Sequence, residues 1–393
     1  MRILHIAHEF PLPTFHGGRL DIWQHICGFN ELGFETFHIS WADSKVDQKS
    51  LQKINDKVND LILLQKPKGL LHHLFRLVNL FNLPSLAYDR KIENDSFLQI
   101  LTKAKVFRPD LIFLDVIYGG DLAIRLKQEL KIPLVLRSQN IEHTYIAEQF
   151  KKAKGIKMKL SLWMAMQGLR KFEYRIFNSA DLIADISEVD LLFWKGEGFD
   201  NIAWLPPIYV PDELNDLFSD VKSYDIVFFG NLSTPNNIDG VIWFLQDILP
   251  IIEHSLNVDI LIMGSNPSKE IVEITNGLKN VELIPNVENP NNYINKAKLL
   301  INPVRFGSGV KMKTIEILFS DKQYVTTTDG IKGLPSELFK EMFFVSDIEV
   351  KFADHILSIL KHNESKSLEK RKKTRLLFSV ESLKEILYSE KFK

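Results

Sequence analysis

The chain has 393 residues, of which 45% are hydrophobic and 25% charged, with a formal net charge of -1 at pH 7. That length exceeds what one core commonly holds and predicts two globular domains, while the near-neutral charge excludes a broad nucleic-acid surface. No apolar run approaches the ~20 residues of a membrane span, and Met1-Arg2 leads straight into a strand-like run without a signal-peptide pattern, so a cytoplasmic location is expected, with no nucleic-acid partner.

Apolar runs of strand length recur at Ile3–Ala7, Thr36–Ser40, Leu61–Leu64, Leu111–Asp115, Leu134–Arg137 and Leu182–Ser187, each followed by an amphipathic segment. This alternation predicts a parallel sheet with helical crossovers. The lone Cys27 falls inside a helical pattern and reads as a buried small hydrophobe. The pattern halts at Trp204-Leu205-Pro206-Pro207 and the acidic, irregular Pro211–Asp220. It resumes with Asp225–Phe229, Asp259–Met263, Val281–Ile284, Lys298–Asn302 and Tyr324–Thr328, and helical spacing covers Ile238–Ile252 and Gly309–Ser320.

The expected organisation is therefore α/β throughout. A Rossmann-like first domain spans 1–205 and is taken as the acceptor side. A linker follows over 206–223, then a second Rossmann-like domain over 224–375. The tail, 376–393, has helical spacing at Leu383, Ile386 and Leu387 and is expected to cross back to the first domain. In doubly wound sheets ligands sit beyond the carboxyl ends of the strands, so two such domains are expected to face each other across a ligand-binding cleft.

Two basic segments admit two readings each. Lys151–Lys159, followed by Leu160, Leu162, Trp163, Met166 and Leu169, fits a long helix with a solvated basic end, and less readily a helix lying at the inner face of a membrane or contacting an anionic acceptor. Lys66-Pro-Lys68 with Leu70, Leu71, Leu74, Phe75 and Val78 suits a core-facing helix as well as an interfacial one.

The densest chemistry lies in Arg305-Phe-Gly-Ser-Gly-Val-Lys-Met-Lys-Thr-Ile-Glu316, where a strand gives way to a helix. Gly307 and Gly309 let the backbone approach an anion, and the first-turn amides with the positive end of the helix dipole favour phosphate. Lys311 and Lys313 add full charges. Lys313 and Glu316, three residues apart, share a helix face, so a cation is followed by a carboxylate at the spacing of a diphosphate and a ribose. Taken alone, the stretch also fits a solvated ion pair on a glycine turn.

Around this stretch the second half resembles the C-terminal domain of family 4 glycosyltransferases, which have the GT-B fold. The matching pieces are Ile226-Val-Phe-Phe-Gly-Asn-Leu-Ser-Thr-Pro-Asn236, Gly240-Val-Ile-Trp-Phe244, Ile260-Leu-Ile-Met-Gly264, Val281-Glu-Leu-Ile-Pro-Asn-Val287 and Asn302–Glu316. The resemblance implies an enzyme using a nucleotide-diphosphate sugar, with Glu316 on the ribose and Pro285, Asn286 and Val287 around the base. Gly230, Asn231, Gly264, Gly307, Ser308, Gly309 and Val310 are implied to complete the donor site. Ser308 stands where many relatives have a glutamate that touches the donor sugar, and the Arg and Lys common after the domain's first strand are missing. The phosphate charge accordingly moves to Arg305, Lys311 and Lys313, the expected catalytic cations.

In the first half, His16-Gly-Gly-Arg19, Arg137-Ser-Gln-Asn-Ile-Glu142 and Asp185-Ile-Ser-Glu188 fall at strand carboxyl ends. The resemblance places Gly17, Gly18 and Gln139 toward the donor, Gln139 standing where relatives carry a His, and makes His16, Arg19, Arg137, Asn140 and Glu142 acceptor-side candidates. His143 is expected on a helix surface. No Asp-x-Asp pair and no His/Cys/Asp spacing suggests a metal, so neither metal nor cofactor is expected. The implied reaction transfers a sugar with retention to a glycan or lipid-linked sugar in surface-polysaccharide synthesis. A nucleotide-sugar epimerase of the same fold and a non-catalytic sugar- or nucleotide-binding relative are the alternatives.

Overall fold

The structure, a computed structural model, describes residues 1–14, 16–67, 69, 76, 78–79, 83–153, 155–211, 222–287, 290–307 and 309–389. Ser308, the pattern through Leu70, Leu71, Leu74 and Phe75, most of the 206–223 connection and the tail beyond 389 lie outside the described residues. The chain divides into two compact units, one of residues 1–14, 18–210 and 379 onward, the other of 211–378 with 15–17.

In the first unit seven strands form one sheet: β1 (Arg2–Ala7), β2 (Glu35–Ala42), β3 (Asp60–Gln65), β4 (Leu111–Asp115), β5 (Leu134–Ser138), β6 (Leu182–Asp185) and β7 (Ile202–Trp204). Their order is β3-β2-β1-β4-β5-β6-β7, all parallel, with Ile3 of β1 opposite Thr36 of β2 and Leu111 of β4. Helices cover both faces, so central strands are buried on both sides and read as unbroken apolar runs, as Leu111–Leu114 does. Cys27 is buried with Ile22, Trp23 and Ile26 on helix Gly17–Glu31.

This unit's core is completed from the far end of the chain. Leu383 and Leu387 of helix Val380–Leu387 pack with Ile3, Phe29, Phe34, Leu111, Leu205 and Ile208. The fit is close at Gly28, where a Cβ would lie 2.7 Å from Ile208 Cδ1 and 3.2 Å from Leu383 Cδ2.

The second unit holds β8 (Tyr224–Phe229), β9 (Ile260–Gly264), β10 (Val281–Pro285), β11 (Ala297–Asn302), β12 (Gln323–Thr326) and β13 (Phe344–Val345) in the order β10-β9-β8-β11-β12-β13, again parallel. The expected helix 238–252 is three pieces: Pro235–Trp243, a π turn over Phe244–Ile248, and Leu249–Glu253. Pro250 causes the break, because it lacks an N–H and its ring crowds the preceding turn. The helix expected from Gly309 starts instead at Met312, since Gly309 stands at φ +66°, outside helical space.

Candidate donor-binding site at the strand reversal of the second unit

In each sheet the strand order reverses once, between β1 and β4 in the first and between β8 and β11 in the second. The carboxyl ends of the strands at such a reversal border an open crevice, the usual ligand position in these folds. In the second unit the chain leaves β8 at Gly230-Asn231 and β11 at Asn302-Pro303.

Lys313 reaches this point from the first turn of helix Met312–Phe319. Its Nζ donates to Asn302 Oδ1 at 3.1 Å and lies 3.9 Å from the centre of the Phe228 ring. Gly230, at φ +156°, leaves the ammonium its room, since a Cβ there would sit 3.0 Å from Nζ. Burial pushes the Lys313 ammonium down to about 7, partly opposed by the charge of Glu316 one turn on. Lys311, at the helix N-cap, donates from Nζ to the Gly309 carbonyl at 2.9 Å, and burial lowers it to about 8. Glu316 is half-buried, as is Val310.

The neighbouring loops are fixed to each other. Gly264, also at φ +156°, brings its backbone against β8's exit, where a Cβ would meet the Gly230 carbonyl oxygen at 1.6 Å. Asn286, at φ +53°, donates its N–H to the Gly264 carbonyl at 2.8 Å and accepts from Asn266 N at 3.1 Å. Pro285, opposite Gly264 in the ladder, and Val287 flank Asn286 at the carboxyl end of β10. Asn231 caps its own turn by accepting from Ser233 N at 3.0 Å.

Arg305 departs from the expectation. Its guanidinium forms a bidentate pair with Asp239, 2.9 Å from Nε to Oδ2 and 2.8 Å from Nη2 to Oδ1, and stands 5.2 Å from the centre of the Trp243 ring. Its donors on that edge are engaged within the unit. Asn302 was missed by sequence reasoning; the Asn-Pro at the end of an apolar strand was its signal. Asp239, on a helix of another segment, gave none.

In the first unit Arg137 is fully buried and not available to an acceptor. It donates from Nε and Nη2 to the two oxygens of Asp21 at 3.1 and 3.2 Å and from Nη1 to the Leu205 carbonyl. Gln139 joins it, donating to Asp21 Oδ2 at 3.0 Å. Arg19 is held by Glu9, 2.8 Å from Nε to Oε2, while His16 and Gly17 are exposed and Gly18 is half-buried. Glu142 is buried, accepting from the Tyr118 hydroxyl at 2.7 Å and from Asn140 Nδ2 at 3.3 Å, and burial raises its carboxyl to about 7. His143 is not a plain surface residue: its Nδ1 lies 2.5 Å from Glu173 Oε2.

A second feature escaped the spacing argument. Asp21, His25 and Asp115 each offer a ligand atom within 4.8 Å of the others, all buried. His5 Nε2 donates to Asp115 Oδ2 at 2.6 Å, and His38 Nδ1 meets His5 Nδ1 at 3.0 Å. Burial alone would raise the Asp115 carboxyl, but His25 and His5 hold it below the usual carboxylate range, and burial keeps His5 and His38 below theirs. With Asp115 ionised, His5 carries its proton on Nε2 and accepts on Nδ1 from His38. Arg137 already spans both oxygens of Asp21, so the group is a hydrogen-bonded network of the core.

Residues 223–362, within the second unit, match the family described as glycosyl transferases group 1. A 44.6 kDa uncharacterized protein in the cps region of Klebsiella pneumoniae is 25% identical over 372 residues, covering 92% of this chain and 91% of the relative. Among solved structures, Anabaena HepE in complex with UDP and glucose aligns at TM-score 0.63 with 12% identity, covering 99% of this chain and all of that one. A glycosyltransferase of Rickettsia africae aligns at 0.61 with 14% identity, over 100% and 98% of the two chains. The two Rossmann-like units are those of the GT-B fold.

Proposed function

We propose that the protein transfers a sugar from a nucleoside diphosphate sugar to a glycan or lipid-linked sugar during surface-polysaccharide assembly. The observation that carries this reading is the pair of sunken lysines, Lys311 and Lys313, at the β8/β11 reversal, with Glu316 one turn behind Lys313. A diphosphate at this point meets two cations and the free amides of the helix's first turn, and Glu316 is set to accept from ribose hydroxyls. The Pro285–Val287 loop is the base-side wall. UDP in the complex of HepE and the cps-region location of the Klebsiella relative support the donor class and the pathway type.

In the reaction the bond from the anomeric carbon to the diphosphate breaks, and the acceptor oxygen bonds to that carbon from the same face. The hydroxyl proton passes to the departing diphosphate. The lysines and helix amides meet the growing charge on the leaving group, the kind of fixed electrostatic contribution that dominates many enzymes. On this reading phosphate charge needs no divalent cation, and donor turnover persists in excess EDTA. Complete loss restored by magnesium or manganese would contradict it.

Calorimetry with UDP, GDP, ADP and CMP tests the site directly. One diphosphate should bind, and Glu316→Ala should weaken it by up to ~1.5–3 kcal/mol, the range of hydrogen bonds to a charged group. Unchanged affinity for every nucleotide that binds the parent would reject the assignment. Proton NMR of the anomeric centre in the product then reports retention or inversion.

A further inference from the structure

Between Glu148 and Glu173 the chain has no acidic residue, and five lysines fall within residues 151–159. The middle of this segment folds as helix Ile156–Met166, between helices Glu142–Lys152 and Leu169–Ser179. Its faces divide the apolar side chains in a way the sequence pattern did not show. Ala165 is buried, Leu162 and Met166 pack against the core of the first unit, and Leu169 just beyond is buried too. Ile156, Leu160 and Trp163, spaced i, i+4 and i+7, fall within about 60° of one another around the axis at 3.6 residues per turn. They point outward, 87%, 54% and 43% exposed. Lys157 and Lys159, both exposed, project to either side of this stripe.

We propose that the outer stripe of helix Ile156–Met166 docks on a bilayer containing anionic phospholipid. An aliphatic pair with a tryptophan, flanked by lysines, is what an interfacial helix presents: the apolar groups enter the acyl boundary, the indole sits at headgroup level, and the ammonium groups meet lipid phosphates. Among the described residues no helix is long and apolar enough to cross a membrane, so the contact is peripheral. A second copy of this chain is the poorer occupant, because it would bring two acid-free lysine clusters face to face. The proposal deepens the reading of a lipid-linked acceptor, yet its test needs neither donor nor acceptor.

The test is flotation of the full chain with vesicles of phosphatidylcholine alone and of phosphatidylcholine mixed equally with phosphatidylglycerol. Binding is expected only to the mixed vesicles, and should weaken as salt is raised. Each lysine near an anionic surface contributes about fivefold, so Lys157→Gln with Lys159→Gln should lower partitioning about 25-fold. Ile156→Ser with Leu160→Ser should lower it at least about tenfold by removing the inserted carbons. Both pairs are exposed, and nucleotide affinity measured without vesicles should stay at the parent value. No binding to mixed vesicles, or equal binding by both variants, overturns the proposal. So does a dimer in analytical ultracentrifugation that Ile156→Ser with Leu160→Ser dissolves, which would assign the stripe to a second copy. Vesicle binding that persists in a chain binding no nucleotide would retire the proposed function and leave this inference standing.

Discussion

An ammonium group wedged between Phe228, Gly230 and Asn302 has lost much of its water, and the lowered value of Lys313, about 7, is the result. A diphosphate arriving beside it favours the charged form, so the bound lysine titrates higher than the free one. Nucleotide affinity should therefore be full below pH 7 and fall as pH rises from 7 toward the bound value, with proton uptake on binding near pH 8. Calorimetry in buffers of different ionisation enthalpy measures that uptake, and Lys313→Met should remove most of it. Arg137 gives the opposite lesson. A charged residue at the end of an apolar strand reads as a ligand group from sequence, because the partner that claims it, Asp21, lies more than a hundred residues away on a helix. Breaking this fully buried pair by Arg137→Met should cost ~3–5 kcal/mol in the first unit's thermal transition while nucleotide affinity stays unchanged. Separation in sequence likewise hid the contacts of His5 and His25 with Asp115 and of His38 with His5, since these residues come from β1, helix Gly17–Glu31, β2 and β4.

At the level of elements, parallel strands buried on both faces were legible because each is an uninterrupted apolar run between turn residues. The strands absent from the sequence reading are β7 and β13, with three and two residues, too short to show any period. Helix ends were read less well than helix positions. Pro250 signalled the interruption of 235–253, whereas the late start at Met312 depends on the left-handed Gly309. That shift matters chemically, because it puts Lys311 at the N-cap and Lys313 in the first turn, where the free amides are. The contact between the β8 and β9 exits rests on a missing side chain. Gly264→Ala would force a methyl into the Gly230 carbonyl, so the loops must part. The expected outcome is a loss of at least ~1–3 kcal/mol in the second unit's transition, together with weaker nucleotide binding. Differential scanning calorimetry followed by titration with the preferred nucleotide checks both.

For the molecule as a whole, the chain passes from the first unit to the second near residue 210 and returns near residue 379. Leu383 and Leu387 are buried in the first unit, and side chains of this kind contribute ~1.5–3 kcal/mol each when fully buried. A chain ending at residue 378 should show a lowered transition for the first unit alone, readable by limited proteolysis as cleavage near Gly28, with the second unit still protected. The arrangement also sets an order of events at the ribosome. At ~5–20 residues per second, the roughly 170 residues between the two crossings take ~8–34 s to emerge. Through that interval the nascent first unit has all seven of its strands but stands with Phe29, Phe34 and Ile208 uncovered, because helix Val380–Leu387 is not yet made. The half of the protein that is synthesised first is thus the half that matures last, and during the wait its open apolar seat is a place for a chaperone to hold.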